Sequence, residues 1–128
     1  MSYTLDRQFT GADFKDIETR TRAALASMGF GVLTEIDVAA TMKKKLNADL
    51  APYVILGACN PGMALEAIGM EPRVGAMLPC NVILRQTDTG VEVSAIDPVA
   101  SMSAIDNDPL KTVARQVRDL MQMAVDAI

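Results

Sequence analysis

Asn81-Val82-Ile83-Leu84-Arg85-Gln86, Thr87-Asp88-Thr89-Gly90 and Val91-Glu92-Val93-Ser94-Ala95-Ile96 are two β-rich runs around four turn-forming residues. The stretch reads as a hairpin, and its register follows from charge. If Gln86 faces Val91, Arg85 faces Glu92, an opposite-charge cross-strand pair. The same register stacks Val82 with Ala95 and Leu84 with Val93 on one face. Ile83 and Ile96 then fall on the other. Cys80, two residues before Val82, shares the Val82 face, opposite Asp97.

Working toward the N-terminus, Pro52 to Cys59 is nearly all apolar, as a strand covered on both faces would be. Asn60 and Pro61 then read as the N-cap and first residue of a short helix over 61–68, which ends at Gly69. Residues 70–78 read as a loop. Upstream, Phe30 to Ile36 is a strand, and Asp37 caps a second short helix over 38–46 with Val38, Met42 and Leu46 inward. Lys43, Lys44 and Lys45 lie on its last turn, where cations complement the helix dipole. Tyr3 to Phe9 suits a first strand. Thr10 and Asp13 have capping-box spacing ahead of Phe14, Ile17, Thr21, Ala24, Leu25 and Met28, and Gly29 supplies the stop.

On the other side of the hairpin, Asp97-Pro98 leaves the sheet. Asp108 is the expected cap of a last helix, with Pro109 at its first position. Leu110, Val113, Ala114, Val117, Leu120, Met121, Ala124 and Ile128 form its wide apolar stripe. The fold class is therefore α+β: a five-stranded, mainly antiparallel sheet with two long helices on one face (β-α-β4-α) and two short inserted helices. It forms one domain over residues 1–128. Two helices can cover only one face of such a sheet, so the other is solvated, covered by the insertions, or paired with a second copy. A homodimer is the expectation.

Composition excludes several functions. A net charge of −4 and only 4% aromatic residues remove the basic clusters and stacking platforms that nucleic-acid binding requires. The longest apolar run, Val54 to Cys59, is far short of a membrane span. The opening residues carry no basic start followed by an apolar stretch, so the expected location is cytoplasmic, with reduced thiols. Nine methionines are each read first as core filler. Without histidine, no Ser-His or Cys-His catalytic pair exists. Two cysteines 21 residues apart lack a zinc spacing. Two thiolates with a methionine such as Met63 or Met77 could hold Cu(I), but no metal is expected. The residues name no cofactor.

The string Gly29-Phe30-Gly31-Val32-Leu33, then Asp37-Val38, then Tyr53 to Pro61, then Leu78-Pro79-Cys80-Asn81-Val82, with Asp97-Pro98 at the end, resembles the Domain of Unknown Function 302 family. The resemblance covers about residues 10–100. It implies a small α+β domain in the TATA-binding-protein fold class that assembles as a dimer, and it implies no activity. The acidic charge of this chain speaks against DNA binding.

The chemistry concentrates where each cysteine meets asparagine. Cys59 precedes the expected helix start at Pro61, where free N–H groups favour a thiolate or a ligand anion. Asn60 can cap that helix or present its amide to a ligand. The candidate ligand-binding residues are therefore Cys59, Asn60, Pro61, Cys80 and Asn81, and the expected ligand is small and anionic or thiol-reactive. Cys59, Cys80, Asp37 and Asp97 are the catalytic candidates, should the two thiols and a carboxylate converge in one cleft. Three functions stay open: a dimeric ligand-binding domain, a thiol-dependent redox protein or enzyme, and a structural or interaction dimer.

Overall fold

The structure, a computed structural model, describes residues 2–128. Five strands, β1 (Thr4–Thr10), β2 (Gly31–Asp37), β3 (Tyr53–Cys59), β4 (Cys80–Gln86) and β5 (Gly90–Ile96), form one sheet of order β1-β5-β4-β3-β2 with every pair antiparallel. The hairpin register is as expected: Gln86 pairs with Val91, Arg85 with Glu92, Leu84 with Val93 and Val82 with Ala95. Arg85 Nε reaches Glu92 Oε1 at 2.9 Å.

Two long helices, α1 (Phe14–Ser27) and α5 (Asp108–Asp126), cover one face. Ile17, Leu25, Met121 and Val125 pack there against Leu56, Leu84, Val91 and Val93, all buried. Helices α2 (Val38–Leu46), α3 (Pro61–Met70) and α4 (Pro98–Ser101) are the insertions, with a 3-10 turn over Pro72–Met77. A second cluster of Ala67, Val74, Met102, Leu110, Val113 and Ala114 joins α3, the 3-10 turn and α4 to the first half of α5. No described helix is long and apolar enough to cross a membrane.

Several local expectations are corrected. Thr10 does not cap α1: it stays in β1 opposite Gly90, the chain turns at Gly11 with φ +71°, and Asp13 accepts from Asp16 N at 3.0 Å. The cap of α5 is Asn107, not Asp108. Its Oδ1 accepts from Leu110 N at 3.0 Å while its Nδ2 donates to Met70 O at 3.1 Å. An amide does both, whereas a carboxylate could only accept. Helix α3 runs through Gly69 to Met70, and the expected loop contains the 3-10 turn.

Asp37 does cap α2, donated to by Ala40 N at 2.9 Å, and the three lysines occupy the last turn. No residue of α2 is buried, however, and Leu46 is 71% exposed. The helix lies against β2 and β3 at the margin of the sheet, where Val38 and Met42 are only half-buried. Strand β3 is fully covered on one face only: Val54, Leu56 and Ala58 are buried, while on the other Tyr53 and Ile55 are half-buried and Gly57 alone is buried, against Thr34 and Pro79. Methionine also divides, with Met102 and Met121 buried but Met77 and Met123 exposed.

One side chain ties the first strand to the last helix. Arg7 Nη1 lies 3.1, 2.8 and 3.0 Å from the main-chain oxygens of Val125, Asp126 and Ile128, where α5 ends. Its guanidinium stands 4.7 Å from the Phe9 ring centre. A cation on the last carbonyls satisfies groups the helix leaves unpaired and complements its dipole. Arg7→Ala is expected to cost about 2 kcal/mol, measured as a lower urea midpoint with an unchanged slope.

Candidate functional site

Both Cys-Asn junctions lie at one end of the sheet, where β3 finishes and β4 begins. Cys59 pairs with Gly31 of β2, and Cys80 pairs with Ala58 of β3. Side chains alternate along a strand, so the neighbours diverge. Cys80 points with Val82 and Leu84 into the helix-covered core and is 5% exposed. Cys59 falls on the parity of Tyr53, Ile55 and Gly57 and is half-buried. Both cysteines are free.

Burial, and then the charge of Cys59, push the Cys80 thiol up to about 11. It is a protonated thiol at neutral pH, a poor nucleophile and a poor metal ligand. Among the described residues, no three cysteine, aspartate or glutamate side chains gather as a metal-holding group.

Asn60 caps α3, its Oδ1 accepting from Met63 N at 3.5 Å. Its Nδ2 lies 3.2 Å from the place a Cβ would take on Gly29, whose φ is +83°. The amide is thus wedged between the start of α3 and the turn that ends α1. Pro61 is exposed at the first position of α3. Asp97 has two partners: it accepts from Val99 N at 2.9 Å as the cap of α4, and from Arg118 Nε at 3.0 Å. Asp37 does not join this group. It pairs with Val54, at the opposite end of β2 from the Gly31–Cys59 pair, about 20 Å away along the strand. There it lines a cavity of about 360 Å³ with Lys15, Glu18, Leu50 and Tyr53.

Asn81 behaves differently. One residue after Cys80, it points to the uncovered face and is exposed. It lines a concavity of about 480 Å³ there, with Ile83, Arg85, Glu92, Ser94 and Ile96 of the hairpin. Thr4 and Asp6 from β1, Tyr53 from β3 and Tyr3 complete the wall. The dip has a simple cause. Ser94 stands between Asp6 on β1 and Ile83 on β4 in one cross-strand row, and its short side chain is 6% exposed beneath longer neighbours.

Gly57 shapes the neighbouring row. A Cβ there would overlap the Thr34 hydroxyl and approach Pro79 Cγ to 2.7 Å. The hairpin register by itself puts Ile83 and Ile96 on this face; it does not gather Asp6, Ser94 or the tyrosines. The usable signal was that Tyr3 and Tyr53 are the only tyrosines and both sit at strand boundaries.

A family model described as Domain of unknown function DUF302 matches residues 5–128. The chain is similar in structure to the crystal structure of an uncharacterized conserved protein DUF302 from Bacillus stearothermophilus. The TM-score is 0.87 at 25% identity, covering 98% of this chain and 95% of that one. No curated protein matches the chain.

The buried thiol has two measurable consequences. In the native protein, iodoacetamide should alkylate Cys59 only, with Cys80 reacting once denaturant opens the core; peptide mass spectrometry distinguishes the two. In addition, the unfolded thiol ionises near 9.0 and the folded one near 11. The unfolded state therefore loses its proton first as pH rises, and stability falls between those values by about 1.4 kcal/mol per pH unit. Below pH 9 the group contributes no pH dependence. Comparing Cys80→Ala with wild type in alkaline denaturation isolates this loss, which the variant should lack.

Proposed function

The chain belongs to the family described as Domain of unknown function DUF302, a membership that brings a fold without an activity, and we propose that it is a small-ligand-binding domain working without thiol chemistry. The carrying observation is the concavity of about 480 Å³ on the uncovered sheet face. Its size is that of a small-molecule site, typically about 300–1,000 Å³. It joins an apolar floor, Ile83 and Ile96, and two tyrosines to six polar side chains, a more polar lining than most such sites have. Of the residues expected to bind ligand, Asn81 alone lines it. Cys80, by contrast, is sealed in the core with its proton on, which disfavours a two-thiol redox centre.

A thermal-shift screen of small metabolites tests this reading. Binders should persist on Cys59→Ser and be lost on Ser94→Leu, which fills the dip. The opposite pattern would return the site to the Cys59-Asn60-Pro61 junction.

A homodimer is a second proposal, supported by β2. This is an edge strand with free backbone groups, and Leu33 and Ile36 on it are 66% and 47% exposed. Unpaired edges with exposed apolar residues favour pairing with another chain. Sedimentation equilibrium should give a dimer for wild type and a monomer for Ile36→Lys. A monomeric wild type at micromolar concentration removes the proposal.

A further inference from the structure

Resting on that open-face reading, we infer that the concavity selects an amphiphilic cation, its ammonium group against Asp6 and its apolar body over Ile83, Ile96 and Tyr53. The charge lining the site is uneven. Among the described residues Arg85 is its only cation, and that guanidinium is committed to Glu92 at 2.9 Å. Asp6 makes no ion pair among the described residues. Two carboxylates against one guanidinium leave the wall one negative charge in excess. An anionic ligand, the expectation from the helix start at Pro61, meets no free cation here among the described residues. A cation meets an uncompensated carboxylate.

The shape fits the same class. Asp6, Ser94 and Ile83 follow one another across β1, β5 and β4. The carboxylate is therefore on one side of the dip and Ile83 on the other, two strand spacings or about 10 Å away, with Ile96 beside them two residues along β5 from Ser94. That span matches an ammonium joined by a short linker to a ring or branched chain. Both tyrosines of the chain line the concavity, and the face of an aromatic ring attracts a cation through its quadrupole. Ser94 provides the depth, and Asn81 and Thr4 provide hydrogen-bonding groups at the rim.

With no tryptophan in the chain, intrinsic emission comes from Tyr3 and Tyr53, so it reports on this concavity. The experiment is a tyrosine-fluorescence titration of the full chain with three probes of matched size: 2-phenylethylammonium, 2-phenylethanol and 3-phenylpropionate. The ammonium should bind about tenfold tighter than the alcohol, and the carboxylate weakest. Asp6→Asn should reduce ammonium binding to the level of the alcohol and leave the alcohol unchanged. Asp119→Asn, on the exposed surface of α5, should change neither.

Equal binding of ammonium and alcohol, preference for the carboxylate, or indifference to Asp6→Asn would each overturn the cation class. If Ser94→Leu still abolished binding in those cases, the open-face site itself would stand. Failure of all three probes to perturb tyrosine emission, or binding that survives Ser94→Leu, would overturn the site and the inference together. Circular dichroism of each variant confirms that a lost signal is lost binding rather than lost fold.

Discussion

Two amphipathic helices cannot cover both faces of a five-stranded sheet, and most of what distinguishes this protein follows from that shortfall. Helices α1 and α5 press Ile17, Leu25, Met121 and Val125 onto one face. The rows of β3, β4 and β5 that meet them are nearly all dry. Because side chains alternate with a period of two, the choice of buried face also fixes the opposite one. Cys80 goes inward and Asn81 outward; Leu84 goes inward and Arg85 outward. The thiol is held protonated by its own burial, while amide, carboxylate and phenol groups are left where a ligand can reach them. One-sided burial divides the chemistry before any individual contact is considered.

The sheet end that carries both Cys-Asn pairs follows a related constraint. Helices α3 and α4 start there, and each start leaves backbone N–H groups needing partners. Asn60 and Asp97 supply them. Arg118 adds a charged contact to Asp97, and Asn107 links the end of α3 to the start of α5. Beneath them, Val74, Met102 and Leu110 form a small core of their own. The polar residues in this region are engaged in joining helices to strands. The uncovered face has fewer such internal obligations, so Asp6 and Asn81 there keep polar groups that are not spent on the fold.

The hairpin could be read correctly because its information is local. Arg85 and Glu92 set the register, and four turn residues set the reversal. Caps were legible as a residue type but not always as a position. Asn107 displaced Asp108 because the start of α5 had to meet Met70 O, a group from a distant part of the chain. Thr10 was lost to β1 because Gly90 was there to pair with it. Helix α2 showed inward spacing at Val38, Met42 and Leu46, yet nothing packs over its far end. Periodicity states which face could be buried, and only a neighbour buries it.

By itself the sequence determined the number and order of the main elements, the parity of the two hairpin strands, the hairpin register and the absence of histidine chemistry. These are local properties, set by propensity, turn chemistry and the period of the apolar residues. Tertiary structure alone decided that β1 lies against β5, and hence that Asp6, Ser94 and Ile83 stand in one row with a dip between them. Pairing strands from opposite ends of the chain is governed by which arrangement closes the core under α1 and α5. No short stretch of sequence contains that information.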